Sequence, residues 1–214
     1  MTKEHAVTAR RIVALSAGLS RPSSTRMLAE RLGQAAVAAL GDQGVDAELE
    51  VVELRDVAHP VVDAMLTGFA TGELADVIEK VTNADAVVAV TPVFTASYAG
   101  LFKSFVDVLD KDALAGTPVL LGATGGTARH SLALDHALRP LFAYLRADVA
   151  TTAVFAATDD WAASGHATGG EAALGERITR AGRELARTVA AREPRGEADD
   201  PFASAPSFES LLGG

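Results

Sequence analysis

Short apolar runs alternate with amphipathic stretches along the whole chain, and no other feature constrains the fold as strongly. Residues 11–16, 47–54, 86–90, 118–122 and 149–155 have the length and composition of strands. Residues 24–39, 72–83, 97–110, 132–145 and 171–192 carry apolar groups at helical spacing. The run 86–90 is apolar at every position, which predicts a central strand buried on both faces; 47–54 alternates, as an edge strand does. Gly41 and Gly44 are expected to stop the first helix, and Pro140 to kink or break the fourth. Strands that alternate with helices in this way make a parallel sheet with helices on both faces.

Ligands of such sheets bind at the carboxyl ends of the strands, where the strand order reverses. Three segments rich in hydroxyls and glycine fall at strand ends: 16–25, 91–100 and 123–130. In the first, Ser16, Ser20, Arg21, Ser23, Ser24 and Thr25 bracket a strand-to-helix junction. Hydroxyls, free N–H groups of the helix start and the positive end of its dipole together hold a phosphate. The second segment offers Pro92, Val93, Phe94 and Thr95, and the third Thr124, Gly125, Gly126 and Thr127, to grip the rest of the ligand. Strand order 2-1-3-4-5 puts the three loops side by side, and the set suits a flavin mononucleotide.

Composition removes several other chemistries. The chain has no cysteine, so thiol catalysis, disulfides and thiolate metal sites are excluded, and its five histidines lack metal-ligand spacing. A net charge of −9 argues against nucleic-acid binding. Neither a signal peptide nor a bilayer-spanning run is apparent, so a cytoplasmic protein is expected. Residues 8–192 form the expected domain. Composition shifts at 193–214 to Pro, Gly, Ser and acidic residues with Phe202, Phe208, Leu211 and Leu212, a tail either disordered or used for docking.

At its loops the chain resembles the NAD(P)H-dependent FMN reductases of the flavodoxin-like superfamily. It is most similar to those that supply reduced FMN to alkanesulfonate monooxygenases. Residues 91–94, 98–100, 113–116, 123–127 and 134–140, with Lys103 and His130, carry the resemblance. It implies a flavodoxin-like three-layer sandwich, FMN with NADPH or NADH, and a homodimer or homotetramer. A flavin-dependent monooxygenase is the implied partner. Helix 97–110, with its phenylalanines, is the expected subunit contact. The flavin carries the chemistry, so no catalytic side chain and no metal is expected. Backbone N–H groups of 124–127 would stabilise charge on the ring, and 92–95 would hold its edge with Pro92 fixing the turn.

Two departures from the family pattern fall in the first loop. Ser20 stands where many relatives place an arginine, with Arg21 one position later, and Gly18 stands for a phosphate-contacting serine. Phosphate binding then leans on Ser16, Ser23, Ser24 and Thr25. In some sulfonate-linked relatives an aromatic residue at the place of His136 sits in a one-residue helix insertion, which predicts a π-bulge here. Trp161, the single tryptophan, is expected to cover a neighbouring site or a subunit contact. Two other functions suit the same fold: a quinone, azo-dye or metal-oxyanion reductase, and a flavodoxin-type electron carrier, which the sparse aromatics disfavour.

Overall fold

Strand β1 (Arg10–Ser16) lies between β2 (Ala47–Glu53) and β3 (Ala86–Phe94), and all three run parallel. The computed structural model describes residues 9–161 and 170–195. Beyond β3 the sheet continues through β5 (Pro118–Gly125) to an interrupted edge made of β6 (Asp148–Val149) and β7 (Val154–Ala157). The spatial order is thus the expected 2-1-3-4-5, with β2 at one edge and β3 in the interior.

Among the described residues seven strands occur against the five expected, for two local reasons. Ser97–Tyr98 forms β4, a short antiparallel arm folded back on Val93–Phe94. The last strand leaves its ladder between β6 and β7 because side chains take over its backbone groups. Glu184 accepts the N–H groups of Thr151 and Thr152, while Arg139 donates to the carbonyls of Ala150 and Thr151.

Alternating strand residues feed two cores, as the period of two requires. Ile12, Ala14, Val88, Val90 and Leu120 pack under α1 (Ser24–Gly41) and α6 (Gly170–Ala190). Val13, Leu15, Val87, Ala89 and Leu121 face the other side. That side is covered by α2 (Ala58–Thr67), α3 (Glu73–Thr82), α4 (Gly100–Asp107) and α5 (Arg139–Tyr144). The α1–α6 contact depends on small residues: a Cβ on Gly182 would stand 2.7 Å from the backbone of Ala35.

Four local expectations are corrected. Helix α2 has no counterpart in the sequence reading, because Pro60 resembles a loop signal yet sits in the first helical turn, where a missing N–H costs nothing. Gly41 is the last residue of α1, not its stop; the chain turns at Asp42 and Gly44, the latter with φ of 74°. Helix α4 begins at Gly100, since Ser97 and Tyr98 are taken by the hairpin. Phe102 and Phe105 of α4 are fully buried in their own core, so they supply no subunit contact.

The expected break at Pro140 takes a definite form. Leu134–Leu138 is a π-helical turn that contains the exposed His136, and α5 starts immediately after it. Pro140 has no N–H to offer the His136 carbonyl, and the Arg139 N–H reaches Leu134, five residues back. Among the described residues, no helix is long and apolar enough to cross a membrane. Expectations for 196–214 lie outside the described residues.

Candidate functional site

Three loops at the carboxyl edge of the sheet enclose a cleft of about 640 Å³, within the usual size for nucleotide-sized ligands. The loop after β1 supplies Gly18, Ser20, Ser24 and Thr25. The end of β3 supplies Pro92, Val93 and Phe94, and the end of β5 supplies Thr124, Gly125 and Gly126. Of the residues singled out in the sequence, the cleft therefore gathers Ser20, Ser24, Thr25, Pro92, Val93, Phe94, Thr124, Gly125 and Gly126.

Helix α1 opens onto the cleft. Ser23 is its N-cap, its Oγ accepting the Arg26 N–H at 3.1 Å while its carbonyl accepts the Met27 N–H. The N–H groups of Ser24 and Thr25 precede this first ladder bond and are left for an anion. On the cleft floor the Thr25 and Thr124 hydroxyls are hydrogen-bonded at 2.8 Å, both buried. That bond fixes the first loop against the third.

The remaining candidates stand elsewhere. Ser16 is fully buried, and its Oγ accepts the Gly18 N–H at 3.4 Å, so it shapes the loop from beneath. Arg21 points out to Asp56 at 3.2 Å. Ser23 is occupied as the helix cap. Thr95 is exposed at the tip of the β3–β4 hairpin, and Thr127 precedes the short turn Ala128–His130 without a side-chain capping bond. None of these five lines the cleft.

Gly18 has a steric explanation. A Cβ there would fall 2.0 Å from the Ser23 Oγ, so in this chain the Ser23 hydroxyl fills the space a serine at 18 would need. The double glycine at the end of β5 divides its work differently from the expectation, since neither residue has a positive φ. A Cβ on Gly125 would meet the Phe155 ring at 2.9 Å, whereas one on Gly126 would meet no protein atom within 4 Å. Gly125 is thus a packing glycine, and Gly126 leaves room on the cleft side.

Pro92 does not make the turn assigned to it; it continues β3 opposite Thr124. The turn is made by Thr95 and Ala96, with φ of 49° and 68°, a left-handed pair that usually calls for Asn-Gly. Thr91 secures its base. Its hydroxyl donates to the Pro92 carbonyl and accepts the Ala99 N–H, both at 3.0 Å.

Residues outside the three sets singled out for the ligand form the rim of the cleft. Leu19 and Met27 flank the helix start, and Ala156, Thr158 and Trp161 supply a wall from the end of β7. Trp161 stands where the sequence expected it to cover a site, whereas Ala156 and Thr158 were signalled only by their position after a strand. Among the described residues, none that lines the cleft carries a titratable side chain. The groups with displaced pKa values lie away from the cleft. Lys103 is raised by its hydrogen bond to Asp107. Lys80 is raised by Glu50. For Glu184, burial acts upward, but the bonds from Thr152 and Thr151 and the nearby Arg180 outweigh it and lower the value. Among the described residues no His, Asp or Glu cluster fit for a metal occurs.

An FMN-sized ligand fits this donor set. The cleft offers neutral hydroxyls and open amides at one end, backbone at the other, and a vacant face at Gly126.

Comparison with known proteins gives one answer. The family model described as NADPH-dependent FMN reductase matches residues 10–162. An FMN reductase (NADPH) of Pseudomonas aeruginosa is 42% identical over 151 residues, 71% of this chain and 78% of that one. An NADH-dependent FMN reductase of Pseudomonas fluorescens is 40% identical over 152 residues, 71% of this chain and 79% of that one. Among solved structures, an oxidoreductase from Corynebacterium diphtheriae is 43% identical with a TM-score of 0.81, over 86% of this chain and 99% of that one.

Proposed function

Since the chain belongs to the NADPH-dependent FMN reductase family, we propose that it reduces FMN in the three-loop cleft and releases the product to a flavin-dependent monooxygenase. The observation that carries this reading is a cleft built from an open helix start and backbone, with no ionisable side chain among the described residues of its walls. The flavin ring, when bound, supplies the hydride-accepting chemistry, with a reduced nicotinamide nucleotide as donor. The protein's part is therefore placement.

Ser20, Ser24 and Thr25 hydroxyls, with the Ser24 and Thr25 amides, hold the phosphate. Neutral donors bind it without a fixed countercharge, which suits a ligand that must leave. The backbone of Thr124–Gly126 approaches the ring, and Gly126 keeps that face clear. The Thr91-braced hairpin sets Val93 and Phe94 against the opposite edge. Holding two rings at reacting distance lowers the barrier mainly through orientation. Ser16 and Ser23 act through loop shape, and Arg21, Thr95 and Thr127 belong to the surroundings.

Relatives of similar identity are named for NADPH and for NADH. One titration assigns the donor: oxidation of each nicotinamide followed spectrophotometrically against free FMN, FAD and riboflavin. Saturable FMN-dependent turnover supports the reading. FMN binding without turnover would move it to an electron carrier or to another acceptor.

Assembly as a homodimer or homotetramer is part of the same proposal. Val62, Met65, Leu66 and Phe69 form an exposed stripe along α2 and its end, and a face of this kind is usually covered by another subunit. A monomeric mass in solution overturns that part. The cytoplasm is the proposed compartment. For the segment 193–214 we assign a docking role toward the monooxygenase, tested by deletion of 196–214 and measurement of flavin transfer.

A further inference from the structure

Trp161 is held more firmly than a surface residue requires. It ends a single turn, Thr158–Trp161, that follows β7 at the carboxyl edge of the sheet. Asp160 in that turn accepts the Ala157 N–H at 2.8 Å and pairs with Arg177 of α6 at 2.6 Å. The same Arg177 donates to the Phe155 carbonyl at 2.6 Å, so one guanidinium ties the turn to both β7 and α6. From the other side the Arg31 guanidinium of α1 lies 5.3 Å from the centre of the Trp161 ring. The ring, half-buried, forms part of the cleft wall on the α1 side.

This wall stands next to the end of the cleft where the α1 start offers its amides. A phosphate bound there is terminal in a flavin mononucleotide. In a flavin dinucleotide the same phosphate continues into an adenylate, which needs room beyond the α1 start. Met27 and Trp161 occupy the cleft margin on that side. Three charged side chains hold the ring in place, so moving it aside costs free energy.

We propose that Trp161 is a positioning residue that closes the α1 side of the cleft and makes the site selective for a flavin mononucleotide over a dinucleotide. The inference rests on the phosphate placement given under Proposed function. Asp160, Arg177 and Arg31 act through Trp161 and need not touch the ligand.

The test compares wild-type protein with W161A and R177Q, measuring kcat/KM for FMN and for FAD with the preferred nicotinamide. The FAD-to-FMN ratio should rise about tenfold in W161A, chiefly through a lower KM for FAD, and in the same direction but less in R177Q. A merely structural role would lower both flavins together and leave the ratio within twofold, which overturns the assignment. A fall in FAD use alone would also overturn it, showing the ring to be a platform for adenine. If W161A does not fold, R177Q and W161F carry the same comparison. Since Trp161 is the single tryptophan, flavin titration of wild-type emission reports directly on this wall. Wild-type protein that fails to reduce FMN refutes the site reading itself, an outcome distinct from an unchanged ratio.

Discussion

The two ends of the sheet are built from opposite materials. At the amino end, charges neutralise one another. The Asp85 carboxylate accepts the N–H groups of Arg11 and Arg195, each at 2.7 Å, and a guanidinium N–H of Arg10 at 3.4 Å. Arg192 reaches Gly116 and Asp148, Arg195 reaches Thr117, and Arg10 reaches the Arg192 carbonyl. At the carboxyl end the cleft is lined, among the described residues, by hydroxyls, backbone and apolar groups with no ionisable side chain. The contrast shows which end is closed. The amino end uses its polar groups internally and fastens the chain after α6, while the carboxyl end leaves donors open for a ligand.

The largest break in that comparison should come from Asp85. D85A leaves Arg10 buried without its partner and strips two backbone amides, and we expect a loss of about 3 kcal/mol in denaturant unfolding. FMN affinity of the folded fraction should stay within twofold, and a larger change would mean that the two ends are coupled.

Next comes the glycine pair. G126V places a side chain in the open face and should weaken FMN binding about tenfold, with thermal stability nearly unaltered. G125V drives a side chain into Phe155 and should cost about 1–3 kcal/mol of stability. Equal effects of the two variants on binding and stability would contradict the division of roles.

The Thr25–Thr124 bond sharpens the comparison further. Each single valine variant leaves one buried hydroxyl unpaired and should cost about 1–2 kcal/mol. The double variant should cost less than the sum, since no orphan remains. Strict additivity in a double-mutant cycle would show that the hydroxyls act separately.

The smallest effect is acid-dependent. The Glu184 value lies below its ordinary 4.5 in the folded protein, so its bonds to Thr151 and Thr152 stabilise the fold above that pH. The contribution is lost as pH falls through the folded value. E184Q should therefore flatten the loss of stability as pH falls below 4.5 relative to wild type, and parallel acid curves would exclude it.

Alternation of apolar runs was enough to predict a parallel sheet with helices on both faces, because the period of burial is a local property of sequence; the strand order came with the flavodoxin-like pattern, and the sheet follows it. Hydroxyls at a strand-to-helix junction likewise pointed to the end of the cleft where α1 starts, since a helix start exposes N–H groups wherever it occurs. Tertiary structure decided the rest. Ser16 and Ser23 look like ligands in sequence, yet burial and capping take one beneath the loop and the other into the helix start. Gly125 and Gly126 are indistinguishable on paper and differ only because Phe155 stands over one of them. Trp161 became part of the site because β7 lies beside β5 in space, far from the first loop in sequence. Such assignments depend on which side chains meet across the sheet, and a one-dimensional pattern holds no record of those meetings.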